Sequence, residues 1–168
     1  MNVLHCCWKS AWISIYLAYN IGFYSDLDIV EWAIAYFSNS EHFSDDEQLI
    51  EIVSINTEQP REVENAEKIL EKFIYKIWPE FSFDNEKIEI YAKRYFKKRL
   101  NEYLEGKCEP YDVCKMINPI EDILHFPSWL GDMYNACDWI EPGDKLNGKQ
   151  SRYFNNEVKE TLKRLKKL

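Results

Sequence analysis

The sequence predicts an all-α protein: one compact bundle of about seven to eight helices, spanning residues 1–168 as a single domain, with short proline-punctuated helices near 110–140. Three observations favour this class. Apolar residues recur at spacings of three and four along most of the chain. Only five glycines and six prolines occur in 168 residues, fewer than a turn-rich sheet protein would need. An aromatic share of 15% favours a well-packed body over disorder.

The amino-terminal stretch is predicted to begin with two helices. The first covers about residues 6–20 and ends before Gly22, which tolerates positive φ. The second begins after Ser25, and Asp28 completes a capping box as a weaker substitute for glutamate. We therefore expect a tight turn between the two helices.

The same periodicity predicts a short third helix and three longer helices. Ser44 and Glu47 form an S-x-x-E start for the third helix. A fourth is predicted over 60–77, a fifth over 85–104 and the last over 152–168. The acids around Ser44 also suit the positive end of a helix, so their position has a purely structural explanation.

The stretch from Pro110 to Glu141 is divided by prolines and is predicted to form three short helices. Pro110 opens the first, Asn118 is expected to cap the second, and Ser128 is expected to cap the third. The third would present one apolar face: Trp129, Met133, Cys137 and Ile140. A buried helical elbow with a solvated acidic side explains this stretch, and a recognition surface is the functional alternative.

The net charge of −8 is distributed unevenly along the chain. It is −8 over 1–60, +1 over 61–107, −5 over 108–150 and +4 over 151–168. An acidic chain repels nucleic acid and anionic membranes, and it attracts a basic partner. Plain solubility explains the charge equally well. The predicted fifth helix carries a basic run, but its aromatic residues fall on the core stripe, so direct nucleic-acid binding is not expected.

The first 24 residues are apolar enough to raise the question of a membrane span. Polar residues such as Lys9 and Asn20 interrupt the run before the roughly 20 apolar residues that a span needs. A charged leader region and a cleavage site are also missing. We therefore expect a buried first helix and no membrane contact.

The five cysteines are odd in number and irregularly spaced. Together with the missing secretory signal, they predict reduced thiols in a cytoplasmic protein. Cys108 and Cys114 are expected to be small buried thiols. His5, Cys6 and Cys7 are adjacent, which is a poor arrangement for one tetrahedral metal ion, so no cofactor or metal is expected.

Catalytic motifs are scarce in the sequence. No phosphate-binding loop, dinucleotide fingerprint or nucleophile elbow occurs. Glu121 with Asp122 and Asp132 could form a carboxylate pair for acid–base chemistry or bind a hard cation, but helix caps and solvated positions explain them equally well. The sequence therefore predicts a protein that is not an enzyme.

The opening of the chain resembles immunity proteins of bacterial polymorphic-toxin systems, including those of contact-dependent growth inhibition. The residues that carry the resemblance are Trp12, Ile15, Tyr16, Gly22, Ser25, Asp28, Ile29, Val30, Trp32 and Ala33, together with the run FPSWLGDMYNACDWIE. The resemblance implies a cytoplasmic protein without a cofactor. Such a protein binds one toxin domain, often a nuclease, and covers its active site or substrate path.

The residues favour this mechanism independently, because a nuclease is basic where it holds phosphates and carboxylates can imitate them. The carboxylates predicted to meet the partner form two blocks: Glu41, Asp45, Asp46 and Glu47, and Glu121, Asp122, Asp132, Asp138 and Glu141. Trp129, Tyr134 and Trp139 are the candidate aromatic anchors. The alternative is a helical adaptor that binds an endogenous bacterial protein; an enzyme using the elbow carboxylates is the weaker third. The oligomeric state is not predicted.

Overall fold

The structure is a computed structural model that describes residues 3–39, 47–83 and 86–166. These ranges contain only helices and connecting turns, so the all-α class is confirmed. The helices are α1 (Val3–Asn20), α2 (Asp26–Asn39), α3 (Glu47–Val53), α4 (Pro60–Val63), α5 (Ala66–Ile77), α6 (Glu86–Leu104), α7 (Pro110–Cys114), α8 (Ile117–Leu124), α9 (Met133–Cys137) and α10 (Gly148–Lys166). A 3₁₀ turn at Ser128–Leu130 lies between α8 and α9.

The chain divides into two compact units. The first consists of Met1–Asn20 with Tyr24–Ser82 and contains α1 to α5. The second consists of Ile21–Phe23 with Phe83–Leu168 and contains α6 to α10. The single domain over 1–168 stays a prediction.

The core of the first unit is built around Trp12, which is fully buried. Its ring makes edge-to-face contacts with Trp32 of α2, at 4.5 Å between ring centroids, and with Phe73 of α5, at 5.4 Å. Such aromatic pairs stabilise the folded protein by more than the burial of their surface alone would give. Leu49 and Ile52 of α3 are also buried, and α3 packs against α5.

The cap at the start of α2 is the one that the sequence predicts. The Ser25 N–H donates to Asp28 Oδ2 at 2.7 Å, and the Asp28 N–H donates to Ser25 Oγ at 3.3 Å. Gly22 has φ of +70°, as expected of a glycine after a helix end. The cap depends on neighbouring residues alone, which is why the local sequence reveals it.

The helix predicted over 60–77 is interrupted, which corrects that expectation. The chain forms α4 and then α5, because Asn65 leaves the α-helical pattern. The Asn65 N–H donates to the Glu62 carbonyl, three residues back, at 3.1 Å, and its side-chain amide donates to the Arg61 carbonyl. An asparagine side chain competes with helix hydrogen bonds in this way.

Helices α6 and α10 contribute much of the core of the second unit. Ile88, Ala92, Phe96 and Leu100 recur every four residues along α6, and all four are buried. Tyr103 joins the two helices: its ring meets Phe154 edge-to-face at 5.1 Å, and its hydroxyl donates to Asn155 Oδ1 at 2.9 Å.

The helix expected from Ser128 onwards is also interrupted. The chain makes the 3₁₀ turn, bends at Gly131 with φ of +58°, and starts α9 only at Met133. Arg164 of α10 explains the bend, since its guanidinium lies where a Cβ on Gly131 would be and donates to the Trp129 and Leu130 carbonyls at 3.2 and 3.3 Å.

The cap expected at Asn118 is also corrected. Asn118 does not cap α8, because this helix begins one residue earlier, at Ile117.

Candidate partner-binding site

A groove of about 270 Å³ lies on the second unit, bordered by α7, the start of α8, α9 and the segment after α9. We call it the acidic groove. Its lining includes Tyr111, Lys115, Ile117, Tyr134, Asp138 and Glu141. The groove thus brings together two carboxylates and one aromatic side chain from the predicted contact set.

The α7 wall is fixed by a capping box that the sequence analysis did not identify. The Glu109 N–H donates to Asp112 Oδ2 at 3.0 Å, and Lys115 Nζ pairs with Asp112 Oδ1 at 3.1 Å. Burial alone would raise the pKa of the Asp112 carboxyl, but these donors hold that pKa below its ordinary value. Asp112 therefore balances the Lys115 charge at the edge of the groove.

The charge of the groove is carried by Asp138 and Glu141. Both are exposed, and neither carboxylate has an ion-pair or hydrogen-bond partner among the residues the structure describes. The backbone N–H of Glu141 donates to Asp144 Oδ2 at 2.9 Å, which fixes the segment after α9. Two carboxylates are thus available for a cationic group.

A disulfide joins the two walls of the groove. Cys114 at the end of α7 is bonded to Cys137 at the end of α9, with 5.1 Å between the Cα atoms, within the usual range for a disulfide. The expectation of a reduced, buried thiol at Cys114 is therefore wrong. Sequence spacing could not reveal the pair, because it depends on how α7 and α9 pack. Cys108 is a half-buried free thiol, and burial raises its pKa.

The three candidate aromatic anchors occupy different environments. Trp129 is buried against Phe96, and its Nε1–H donates to Glu89 Oε1 at 3.1 Å. It belongs to the core. Trp139 is half-buried, whereas Tyr134 is 45% exposed and lines the groove. Tyr134 is the anchor that a partner can reach there.

The remaining carboxylates of the second predicted block lie outside the groove lining. Asp122 and Asp132 are exposed, and Asp132 accepts a hydrogen bond from Asn135 Nδ2 at 3.0 Å. Glu121 is buried, with 9% of its surface exposed. Burial, and then the charge of Asp122, raise the pKa of the Glu121 carboxyl.

The first predicted block contributes one described residue. Glu47 begins α3 and is exposed. Glu41, Asp45 and Asp46 lie outside the described residues. The other described carboxylates of the two predicted blocks all lie in the second unit.

Within the described ranges, no three His, Cys, Asp or Glu side chains are grouped so that they could hold a metal ion. In the same ranges, no helix is both long and apolar enough to cross a bilayer.

Two features of this region were missed by the sequence analysis. Tyr111 and Lys115 line the groove, and Phe126 is 76% exposed on the turn after α8. The sequence offered one signal for Phe126, namely an aromatic residue placed between a helix end and Pro127. Nothing local signals the groove, since its walls come from separate helices.

Comparison with known protein families gave no match, and neither the curated proteins nor the solved structures gave one. The functional interpretation therefore rests on the residues and on the geometry of the acidic groove. The resemblance to immunity proteins stays a prediction.

Proposed function

We propose that this protein is an immunity protein of a bacterial polymorphic-toxin system. It binds a basic toxin domain, of the nuclease type, and covers the surface on which that domain acts. It has no cofactor and catalyses no reaction of its own. The toxin domain is encoded beside it, as the gene order of such systems requires.

The observation that carries this proposal is the composition of the acidic groove. Two unpaired carboxylates, Asp138 and Glu141, lie at the same groove as the exposed ring of Tyr134. An aromatic anchor beside carboxylates suits an arginine or lysine side chain, which can pair with the acids and pack its stem or guanidinium on the ring. Basic side chains are what a phosphate-binding enzyme presents.

The size of the groove favours a protein partner over a small-molecule substrate. Its volume of about 270 Å³ lies below the roughly 300–1,000 Å³ typical of ligand pockets. A groove of this size accommodates one side chain of a partner. The rest of the contact would then involve the surrounding surface, which includes Asp122 and Asp132.

The test is a binding measurement with the toxin domain encoded by the adjacent gene. Replacing Asp138 and Glu141 together by Asn and Gln should weaken the complex by at least about tenfold, because both carboxylates lose their charge. Calorimetry or surface plasmon resonance gives the Kd. In the host, the same variant should protect less well against the toxin.

Glu58→Gln with Glu80→Gln is the matched control, because it removes the same charge from exposed positions in the first unit. It should bind like the wild type. Equal affinity of both double variants would exclude the groove as the contact. Failure of the wild-type protein to bind or to protect would reject the immunity function itself.

A further inference from the structure

Phe126 lies on the turn between α8 and the 3₁₀ turn, and 76% of its surface is exposed. Within the described ranges it is the most exposed of the large apolar side chains, followed by Ile90 at 66%. Isolated exposed apolar residues are common on proteins. Exposure alone therefore indicates no function, and the backbone supplies the second observation.

The turn holds two successive residues in the left-handed region. His125 has φ of 52° and Phe126 has φ of 58°, and they are the only non-glycine residues with positive φ in the described part of the chain. A Cβ makes this conformation unfavourable, especially for a bulky side chain. Strained backbone of this kind clusters at functional sites, so an observed outlier is a reason to look for one.

The turn is fixed at both ends. The His125 and Phe126 N–H groups both donate to the Glu121 carbonyl, which closes the end of α8. After Pro127, the 3₁₀ turn is held by the buried side chain of Trp129 and by the hydrogen bond that Arg164 donates to the Trp129 carbonyl. The Phe126 ring is thus displayed from a rigid support, which lowers the entropy lost when it is buried by a partner.

The geometry of the helix end makes this exposure unusual. Phe126 occupies the second position after α8, where an apolar residue commonly packs back on the last turn of the helix. With three quarters of its surface exposed, Phe126 does not bury itself in this way. The side chain remains available to another molecule.

We propose that Phe126 is a hydrophobic anchor that inserts into an apolar pocket of the basic toxin domain; this inference rests on the proposed function. The charge of its segment favours a basic partner, because the exposed Asp122 lies four residues before Phe126 in the last turn of α8 and residues 108–150 carry a net charge of −5. The receiving pocket is therefore rimmed by Lys or Arg side chains. An aromatic residue buried in a well-packed pocket, with surrounding contacts that exclude water, is the usual composition of an interface hot spot.

Two measurements test the anchor with the toxin domain encoded by the adjacent gene. Phe126→Ala should weaken the Kd by at least about tenfold while the thermal midpoint of the free protein stays unchanged. Ile90→Ala, from a comparably exposed position on α6, should bind like the wild type. A photo-crosslinking benzoylphenylalanine should link to the toxin domain from position 126 and not from position 90.

The outcomes separate this inference from the proposed function. Suppose that the Asp138/Glu141 variant loses binding, while Phe126→Ala binds like the wild type and position 126 gives no crosslink. That result would overturn the anchor and leave the immunity function standing. Absence of any complex with the wild type would reject both. If sedimentation shows a dimer of the free protein that Phe126→Ala dissociates, the anchor serves a second copy of this chain, and the inference is also wrong.

Discussion

Glu121 is buried, whereas its neighbour Asp122 is exposed, so of these two carboxylates only Asp122 is open to a partner. A carboxylate without a described hydrogen-bond or ion-pair partner is unfavourable in such a position. Burial, and then the charge of Asp122, raise the pKa of Glu121, which means that the charged form is less favourable in the folded protein than in the unfolded chain. Glu121 is therefore excluded from the proposed contact.

The raised pKa gives a prediction with a definite sign. The stability that a protonated Glu121 contributes is complete below the unfolded-state pKa of about 4.3 and is lost as the pH rises through the higher folded-state pKa. Glu121→Gln should therefore make the protein slightly more stable at pH 7. The gain should shrink as the pH falls towards 4.

Urea denaturation of Glu121→Gln at the two pH values measures this effect. The exposed Glu58→Gln is the control and should change the free energy of unfolding little at either pH. A glutamine variant that is less stable than the wild type at pH 7 would mean that the carboxylate has a stabilising partner.

At the scale of elements, the Cys114–Cys137 bond couples α7 to α9 across 23 positions of sequence. In the chain-entropy account, closing a loop of this length stabilises the folded state by about 3 kcal/mol. The double substitution to serine should lower the free energy of unfolding by about this amount. Guanidinium denaturation of the oxidised protein and of the variant measures the difference.

Reduction offers a parallel measurement on the unaltered protein. With dithiothreitol the wild type should approach the stability of the double variant, whereas Cys108→Ser should respond to the reductant like the wild type, because Cys108 is a free thiol. Peptide mapping without reduction should recover Cys114 linked to Cys137. Separate, fully alkylated peptides would contradict the bond.

The elements differ in how far the sequence reveals them. The α2 cap follows from Ser25 and Asp28, and the helical class follows from apolar spacing, because both are local properties. The break at Gly131 depends on Arg164, more than thirty residues away, so periodicity alone suggested an unbroken helix. The groove was unpredictable for the same reason: its acids were identified, but their position beside Tyr134 depends on packing.

At the scale of the whole molecule, negative and positive charge lie in different segments of the sequence. Residues 108–150 carry −5, whereas residues 151–168 carry +4 and include three cations in the last turn of α10. A basic partner is therefore attracted by one part of the second unit and repelled by another. Such a distribution orients an encounter as well as accelerating it.

This charge predicts how association depends on salt. The association rate constant with the basic toxin domain should fall by about tenfold or more between about 50 mM and about 500 mM NaCl, as the Debye length shortens. Stopped-flow or surface plasmon resonance gives the rates. Phe126→Ala should keep this salt dependence, and the Asp138/Glu141 variant should flatten it.

A rate constant that does not change with salt would remove electrostatic steering from the mechanism. The Glu58/Glu80 double variant again serves as the control, because it has the same net charge as the groove variant. A difference between the two would show that the location of the charge matters as well as its total.

Arg164 has a consequence for the order in which this protein matures. Its bonds to the Trp129 and Leu130 carbonyls connect the last turn of α10 to the turn that follows Phe126. A ribosome delivers the elbow well before it delivers Arg164, and contacts so far apart in sequence form late. A chain that has not yet formed α10 therefore lacks the contacts that hold the turn after Phe126.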